Sequence, residues 1–271
     1  MNNQELKSHA KNIRKNIVYE VYCAQAGHPG GSLSAADILT ILYFEVMDIT
    51  PENADGIDRD RFVLSKGHAS PLLYAVLAES GIIGYDTLST FRHINSKLQG
   101  HPNMNQTKGV DMSTGSLGQG LAAADGMAIA NKLSCNKHRI YCLIGDGECE
   151  EGEIWEAAMA AAHYRNDNLC VILDSNGLQI DGKTDDVIGP NPIDDKFKAF
   201  GWHVAYADGH DFSSLRKAFM EARNTKGQPT VIIAKTIKGK GISFMENQVG
   251  WHGKAPNEEQ YKQAMLELEA E

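Results

Sequence analysis

Short apolar runs that alternate with helical stretches constrain this chain more than any other feature of its sequence. Five such runs, each typical of a buried strand, occupy residues 61–65, 140–144, 169–174, 202–207 and 230–236. Strands that alternate with helices pair in parallel, because each crossover returns the chain to the same end of the sheet. Their continuous apolar character also requires helices on both faces of that sheet. The sequence therefore predicts an α/β fold with a doubly wound, mostly parallel sheet flanked by helices.

Periodicity and end signals place further helices outside this alternation. Apolar residues recur at helical spacing from Leu6 to Val21, and Gly27 follows where a helix would end. A second helix is expected over residues 34–47, because Ser34 and Asp37 have the spacing of a capping box. This second helix is apolar along most of its length, which indicates burial. A last amphipathic helix is expected to begin near residue 257.

Charge and cysteine content exclude several classes of protein. The formal charge of −9 argues against general nucleic-acid binding, which requires clustered Lys and Arg. The polar N-terminus lacks the apolar segment of a signal peptide, and no later run is long enough to cross a bilayer, so we expect a cytoplasmic protein. Five cysteines without a C-x-x-C pair indicate reduced thiols rather than a disulfide framework or a thiolate zinc site.

Two polar residues follow neighbouring predicted strands at the point where each strand ends. Asp146 lies in the turn Gly145-Asp146-Gly147, and Asn176 follows the next strand, 30 positions later. A strand-helix-strand unit brings both to the carboxyl edge of the sheet, where α/β folds bind ligands. Such oxygen donors suit Mg²⁺, which takes few protein ligands and completes its coordination with water and phosphate oxygens. The pair therefore predicts a metal that binds a diphosphate, although a strand-end turn explains Gly-Asp-Gly alone equally well.

Acidic residues crowd the segment after this turn. Glu148, Glu150, Glu151 and Glu153 have no basic residue among them. For Glu148, Glu150 and Glu153, the pattern alone favours solvated charges that complement a helix dipole. Cys149 is interpreted as a bystander, although a nearby helix N-terminus would lower the pKa of its thiol.

Four of the ten histidines occupy loops flanked by glycine or proline. They are His28 in GHPGG, His68 in KGHAS, His101 in GHPN and His252 in WHGK. No short pair such as H-x-x-x-H links them, so their spacing does not predict a metal cluster. A lone loop histidine is commonly solvated, but an imidazole near neutral pH can also donate, accept or shuttle a proton.

Six segments between residues 12 and 256 resemble blocks of the transketolase family, in the same order. They read GHPGGSLSAADIL, RDRFVLSKGHASPLLYA, GHPN, STGSLGQGLAAADGMA, GDGECEEGEIWEAAMAAAHYRNDNLCVILDSNGLQIDG and KTIKGKGISFMENQVGWHGKAP. Gly-Asp-Gly with its following Asn also resembles the family's thiamine diphosphate fingerprint. The resemblance implies an enzyme that uses thiamine diphosphate to transfer a two-carbon ketol unit from a ketose phosphate to an aldose phosphate.

The resemblance also assigns roles to individual residues. The metal, expected to be Mg²⁺ with Ca²⁺ or Mn²⁺ as substitutes, would be held by Asp146, the side chain of Asn176 and the carbonyl of Leu178. The cofactor itself would contact His68, Gly115, Leu117, Gly118, Asp146, Gly147, Glu148, Asn176 and His252. Catalytic roles would fall to His28, His68, His101, His252 and Glu151. Of these, His28 and His101 would contact the sugar donor, whereas Glu151 would join a hydrogen-bond network at a subunit interface. Ser116 stands where family members often have proline, which affects the expected rigidity of that loop.

Full-length transketolases carry two further domains, which the resemblance does not cover. One binds the aminopyrimidine ring of the cofactor and supplies the glutamate that activates it, and the other is a smaller C-terminal domain. We therefore expect residues 1–271 to form a single diphosphate- and metal-binding domain, as the N-terminal subunit of a split transketolase. The other domains would lie on a separate C-terminal subunit, and two of each chain would form a heterotetramer that acts on sugar phosphates.

Three other functions fit some of these features. A Mg²⁺-dependent phosphohydrolase would also use acids at strand ends, but it would leave the four histidines and STGSLGQG unexplained. A catalytically silent subunit that binds thiamine diphosphate and regulates a partner would keep the same motifs. Deoxyxylulose-phosphate synthase shares Gly-Asp-Gly and the following Asn, whereas GHPGG and WHGKAP favour transketolase.

Overall fold

A sheet of five parallel strands forms the centre of the computed structural model, which describes residues 1–270. The strands are β1 (Arg61–Leu64), β2 (Ile140–Gly145), β3 (Leu169–Ser175), β6 (His203–Asp208) and β7 (Thr230–Lys235), and a short antiparallel hairpin of β4 (Leu178–Gln179) and β5 (Gly182–Lys183) follows β3. The sheet order is β1-β2-β3-β7-β6, and every neighbouring pair is parallel. The predicted parallel sheet is confirmed, and each strand boundary differs from the predicted one by no more than one residue.

Helices connect these strands and cover both faces of the sheet. They are α1 (Asn3–Ala24), α2 (Pro29–Ser34), α3 (Ala36–Ile41), α4 (Ser70–Glu79), α5 (Gln119–Leu133), α6 (Gly152–His163), α7 (Thr184–Val187), α8 (Ile193–Ala199), α9 (Phe212–Asn224) and α10 (Glu258–Ala270). A π-helical turn, Leu42–Val46, continues α3, and 3₁₀ turns occupy Gly67–Ala69, Tyr85–Thr90, Gly147–Glu150 and Val249–Trp251. Within residues 1–270, the structure contains no helix with the length and apolarity that a membrane span requires.

The first helix forms as expected but ends earlier than predicted. Asn2 and Glu5 form a capping box at its start, in which each side chain accepts from the backbone of the other residue. The helix ends at Ala24, because Gln25 takes a left-handed conformation with φ of 48° and its N–H donates to the carbonyl of Tyr22. The helix therefore ends three residues before Gly27, the residue at which its end was predicted.

The second helix predicted over residues 34–47 is found over residues 36–46, where α3 continues into the π-helical turn, but its predicted start and capping box are wrong. This segment is divided between the end of α2, the whole of α3 and the π-helical turn. Ser34 caps no helix, because its hydroxyl donates to the carboxylate of Asp174 at 2.5 Å, and Asp37 is instead paired with Arg14. Most of the segment is buried, so its apolar residues show no periodic face that would indicate where one helix ends and the next begins.

Side chains of the sheet alternate between two hydrophobic clusters, one on each face. Tyr141 and Leu143 of β2 belong to the first cluster, whereas Ile140, Cys142 and Ile144 belong to the second. The first cluster includes residues of α1, α3, α4, α9 and α10, and the second includes residues of α5, α6 and α8. Because both faces are covered, the carboxyl edge of the sheet is where loops can form a ligand site.

Candidate active site

A cavity of about 210 Å³ lies at the carboxyl edge of the sheet, beyond the ends of β1, β2, β3 and β7. Nine of the residues predicted from the sequence line it, namely His68, Leu117, Asp146, Gly147, Glu148, Glu151, Asn176, Leu178 and His252. The four others lie close by: His28 packs against two of the lining histidines, His101 lies against Gly115, and Gly118 donates to Glu148. The fold thus brings together residues from loops that are far apart in the sequence.

Asp146 is buried in the turn that follows β2. Its carboxylate accepts hydrogen bonds from the backbone N–H of Gly147 at 2.8 Å and from that of Gly177 at 2.5 Å. The N–H of Gly147, a residue that the family resemblance places in contact with the cofactor, is therefore engaged by Asp146 in this structure. Burial raises the pKa of the Asp146 carboxyl to about 6, and the charge of nearby Asp174 adds to the shift. This incompletely compensated negative charge favours a bound cation.

Asn176 and Leu178 supply the other predicted oxygens, at the turn between β3 and β4. The Asn176 side chain donates to Asp174 at 3.1 Å and accepts from the Leu178 N–H at 3.1 Å, so both ends of its amide are held. The carbonyl of Leu178 accepts from Nζ of Lys238 at 2.9 Å. A backbone oxygen predicted to bind a cation is thus already in contact with a positively charged group.

A buried polar network lies beneath the cavity, and the sequence did not predict it. Asp174, at the end of β3, accepts from Lys66 at 2.5 Å, from Ser34 at 2.5 Å and from Oγ1 of Thr236. Although burial acts in the opposite direction, Lys66 holds the pKa of Asp174 below its usual value. Lys66 and Asp174 are 2% and 0% exposed, so loss of either partner would leave an uncompensated charge in the interior.

Three of the predicted histidines form a cluster beside the cavity. The ring centroids of His28, His68 and His252 are 5.1 to 5.5 Å apart in all three pairs. Burial lowers the pKa of His28 to about 4, that of His252 to about 3 and that of His68 well below its usual value, and the charge of Lys238 adds to each shift. The three imidazoles are therefore neutral near pH 7, and each can donate one hydrogen bond and accept another.

Lys238 is a second buried lysine of this cavity that the sequence analysis missed. It is 2% exposed, and its Nζ lies 2.8 Å from Nδ1 of His252. Burial and the charge of Lys66 lower its pKa to about 8. Both lysines lie inside blocks quoted for the family resemblance, KGH and KTIKGKG, but a lysine in a loop carries no local signal that it is buried.

His101 lies at the edge of the site and is exposed. Its ring packs against Gly115, where an added Cβ would come within 3.2 Å of the imidazole. Burial of part of the ring and the nearby charge of Arg92 lower the pKa of His101. The glycine predicted to line the cofactor therefore also allows His101 to approach the loop.

Glu148 is not the solvated charge that the acidic pattern favoured. It is 3% exposed, and its carboxylate accepts from Oγ of Ser65 at 2.5 Å, from the Gly118 N–H at 2.9 Å and from the Gly145 N–H at 3.1 Å. Gly118 has φ of +91°, a conformation that favours glycine. Glu148 thus joins the ends of β1 and β2 to the loop that precedes α5, and this structural role explains its burial.

Glu151 and Cys149 have contrasting surroundings. Glu151 lines the cavity and is exposed, so it is accessible to another chain, and its place in a subunit interface stays a prediction. Cys149 fits the bystander interpretation, because burial raises the pKa of its thiol well above the usual value and the charge of Glu148 adds to the effect, so the helix N-terminus does not lower it. The side chain of Cys149 belongs to the hydrophobic cluster of α5 and α6.

The donor set fits a hard cation that shares its coordination with a phosphate group. Within the described part of the chain, no three His, Cys, Asp or Glu side chains converge closely enough to hold a metal alone. The oxygens of Asp146, Asn176 and Leu178 are therefore too few to enclose a cation, which must take further oxygens from water or from a ligand. Lys66 and Lys238 line the same cavity and provide positive charge for an anionic ligand.

Comparison with known proteins shows which sequences and structures this chain resembles. The family model described as "Transketolase, thiamine diphosphate binding domain" matches residues 6–270. The 6-deoxy-6-sulfo-D-fructose transketolase subunit SqwG of Clostridium sp. (strain MSTE9) is 45% identical over 98% of this chain and 97% of its own. An apulose-4-phosphate transketolase subunit of Actinobacillus succinogenes is 44% identical over 98% of this chain and 97% of its own. The crystal structure of transketolase from Campylobacter jejuni matches with a TM-score of 0.92 and 37% identity, over 99% of this chain but only 43% of that chain.

Proposed function

The chain belongs to the transketolase family, and from that premise we propose that it is the N-terminal, diphosphate-binding subunit of a thiamine diphosphate-dependent transketolase. The assembled enzyme would transfer a two-carbon ketol unit from a ketose phosphate to an aldose phosphate. One observation carries this proposal: the neutral imidazoles of His28, His68 and His252 lie together beside a cavity that presents the oxygens of Asp146 and Asn176. A phosphohydrolase would have no need of such a cluster.

The residues of the cavity suit both the metal ion and the negative charge of the cofactor's diphosphate. Asp146, Asn176 and the Leu178 carbonyl would hold Mg²⁺, for which Ca²⁺ or Mn²⁺ could substitute, and Lys66 and Lys238 would offset the charge of the diphosphate. When bound, thiamine diphosphate supplies the electron sink that ketol transfer requires and that no side chain provides. The chain's own contribution is to bind, to orient and to move protons.

The histidines would act on the sugar as neutral groups. A neutral imidazole can accept the proton of a sugar hydroxyl as a carbonyl forms, and it can return that proton when the hydroxyl forms again. Lys238 has a pKa of about 8 and is therefore mostly charged at pH 7, so it can only donate to Nδ1 of His252. The hydrogen of His252 then lies on Nε2, from which this residue can donate to a ligand.

Relatives of the same length support a second chain in the active enzyme. SqwG and the Actinobacillus protein are both named as subunits, and this chain covers 97% of each. We infer that the present chain is a single diphosphate- and metal-binding domain whose partner, a C-terminal transketolase subunit, binds the aminopyrimidine end of the cofactor. Two copies of each chain in a closed heterotetramer are the simplest assembly, with Glu151 at an interface between chains.

Cofactor binding tests the metal assignment directly. Asp146→Ala in the assembled enzyme should weaken Mg²⁺-dependent binding of thiamine diphosphate in calorimetry, because the cation that would accompany the diphosphate would lose a protein ligand. Asp181→Ala is a matched control, since Asp181 is an exposed aspartate on the adjacent hairpin. Equal affinity and equal metal dependence in both variants would contradict the assignment. The same titration with Ca²⁺ and Mn²⁺ identifies the metals that the site accepts.

Reconstitution tests the activity and the assembly. The purified 271-residue chain should show little ketol transfer by itself, and activity should appear when the C-terminal partner chain is added. The donor panel should include phosphorylated and sulfonated ketoses, because the two similar subunits are named for one of each kind. Binding of the partner without any ketol transfer would instead support the silent regulatory subunit. Analytical ultracentrifugation of the mixture distinguishes two copies of each chain from a simple pair.

A further inference from the structure

His210 lies in the turn between β6 and α9, outside the cavity described above, and its imidazole bridges two other parts of the chain. Nδ1 lies 2.8 Å from Oδ2 of Asp37 in α3. Nε2 accepts a hydrogen bond from the backbone N–H of Ile237, just beyond β7, at 2.9 Å. The side chain is 15% exposed. The imidazole therefore connects α3 to the segment that leaves the end of β7.

Only one protonation state of His210 satisfies both contacts. A backbone N–H can only donate, so Nε2 must carry a lone pair that faces Ile237. The hydrogen of the neutral ring then lies on Nδ1, from which it donates to the carboxylate of Asp37. Protonation of Nε2 would place a second N–H against the N–H of Ile237, and two donors cannot form a hydrogen bond with each other.

Asp37 is itself held from the opposite side. Arg14 in α1 donates to both carboxylate oxygens of Asp37, at 3.1 and 2.5 Å, and the pair is buried. Although burial acts in the opposite direction, Arg14 and His210 hold the pKa of Asp37 below its usual value. The acceptor for the Nδ1 hydrogen is therefore anionic at neutral pH. Arg14, Asp37 and His210 thus form a fixed chain of contacts from α1 to Ile237.

The N–H that His210 binds lies between two residues that reach the cofactor cavity. On one side, Thr236 donates through Oγ1 to Asp174, beneath the cavity. On the other side, Lys238 donates to the carbonyl of Leu178 at 2.9 Å, and its Nζ lies 2.8 Å from Nδ1 of His252. A shift of the backbone at this point would move both side chains away from the site together.

We propose that His210 is a positioning residue that, in its neutral form, fixes the backbone at Ile237 and thereby places Thr236 and Lys238 at the cofactor cavity. This inference rests on the proposed function, because Lys238 has a reason to be placed there only if the cavity binds an anion. His210 acts through its neighbours and makes no contact with the reacting atoms.

Charged groups from several elements surround His210. They are Arg14, Lys235 and Lys240, which are positive, and Asp37, Asp208 and Glu246, which are negative. Asp37 contacts Nδ1 at 2.8 Å and can accept its hydrogen in either protonation state of the ring. The donation from Ile237 to Nε2 is the contact that requires the neutral imidazole, and it is the contact that an experiment should remove.

Two substitutions separate the positioning role from simple packing. His210→Gln keeps one donor and one acceptor at similar spacing but does not titrate, whereas His210→Leu keeps bulk and loses both hydrogen bonds. His203→Gln is the matched control, because His203 lies on the nearby edge strand and pairs with Glu221 at the surface. All variants are made in the full chain and are compared with the unmodified protein.

The first two measurements need no cofactor. Nitrogen-15 NMR of the imidazoles should place the hydrogen of His210 on Nδ1 and none on Nε2. Amide hydrogen exchange at Ile237 should be about tenfold faster or more in His210→Leu, which corresponds to a loss of about 1.4 kcal/mol in the free energy that protects this N–H. The exchange rate should stay near that of the unmodified protein in His210→Gln and His203→Gln. A hydrogen on Nε2, or unchanged exchange in His210→Leu, would overturn the inference.

The third measurement is thiamine diphosphate affinity of the assembled enzyme with Mg²⁺ at pH 7.5. Affinity should fall about tenfold or more in His210→Leu and stay near the unmodified value in His210→Gln and His203→Gln. Equal affinity in His210→Leu and the unmodified enzyme would overturn the positioning role. An unmodified enzyme that binds no thiamine diphosphate would instead overturn the proposed function, and the two cofactor-free measurements would still decide the role of His210.

Discussion

Replacement of Glu148 by alanine tests whether this acid is the structural centre of the site or a solvated charge. The carboxylate accepts from three donors, the hydroxyl of Ser65 and the N–H groups of Gly118 and Gly145. These donors lie at the end of β1, in the loop that precedes α5 and at the end of β2, respectively. Alanine removes the acceptor that they share, and the loop that precedes α5 loses its connection to the ends of β1 and β2.

The expected magnitude follows from what remains after the substitution. Loss of the acceptor for the buried N–H of Gly118 and the partly buried N–H of Gly145 costs about 1–3 kcal/mol each. Burial raises the pKa of Glu148 despite its hydrogen bonds, so removal of the buried charge recovers part of this cost. We therefore expect Glu148→Ala to lower the free energy of unfolding by about 2–4 kcal/mol.

Urea unfolding of the purified chain, followed by far-ultraviolet circular dichroism, measures this loss. Glu156→Ala is the control, because Glu156 is exposed on α6 and its removal should change stability by about 0.5 kcal/mol or less. Glu148→Gln keeps one acceptor oxygen, so its loss in the free energy of unfolding should lie between those of Glu148→Ala and Glu156→Ala. If Glu148→Ala and Glu156→Ala lose the same small amount, the three hydrogen bonds contribute nothing and the reasoning from burial is refuted.

Three further predictions concern groups whose surroundings differ from what their sequence context indicates. Both carboxyl oxygens of Glu20 lack a hydrogen-bond partner among the described residues, and burial raises the pKa of this carboxyl well above its usual value. The folded protein therefore keeps the Glu20 proton at pH values where the unfolded chain has lost it. The free energy of unfolding should then fall by up to about 1.4 kcal/mol per pH unit from about pH 4.3, the unfolded pKa, up to the pKa of Glu20 in the folded protein. Glu20→Gln should flatten that slope in urea unfolding between pH 4.5 and 8, and an unchanged slope would contradict the assignment. Cys135 is exposed, whereas Cys149 is buried. Cys135→Ser should therefore remove the fastest phase of the reaction with a thiol reagent, and Cys149→Ser should leave that phase unchanged. The reverse result would contradict the structure. His101→Ala should lower donor turnover of the assembled enzyme more than its cofactor affinity. His252→Ala should lower both donor turnover and cofactor affinity, because His252 contacts Lys238. Equal small effects of the two substitutions in steady-state kinetics would indicate that both histidines have only a structural role.

The fold was predictable because its signal is short-range and repeated. Each strand of the sheet is a run of apolar residues that ends at a polar or glycine-containing turn, and both faces of the sheet are covered, so nearly every position of β2 and β3 had to be apolar. The same reasoning fails where burial is complete over a longer stretch. Residues 34–47 are apolar for the same reason, yet they contain two helical segments and a π-helical turn, and an apolar run without a polar face gives no sign of such breaks.

The oxygen donors of the site were predictable for a similar reason, whereas its buried charges were not. Asp146 and Asn176 follow consecutive strands of one parallel pair, so topology alone brings them to the same edge. Burial of Glu148 depends on donors from two distant loops, and burial of Lys66 depends on Asp174, 108 positions away. A charged residue is buried only with its partners, and a local pattern of charges does not contain those partners.

The histidines show how much a family resemblance adds to the pattern of residues. His28 and His252 are separated by most of the chain, and each stands alone in a glycine-flanked loop, so neither spacing nor composition predicts that they meet. The structure places both against His68, with ring centroids 5.3 and 5.1 Å from it, because the segment between α1 and α2 meets the segments that follow β1 and β7 at the carboxyl edge of the sheet. Their neutral state, in turn, depends on burial and on Lys238, which the resemblance did not name as a functional residue. The resemblance thus predicts which imidazoles converge, and only the three-dimensional arrangement of charges predicts the form in which they act.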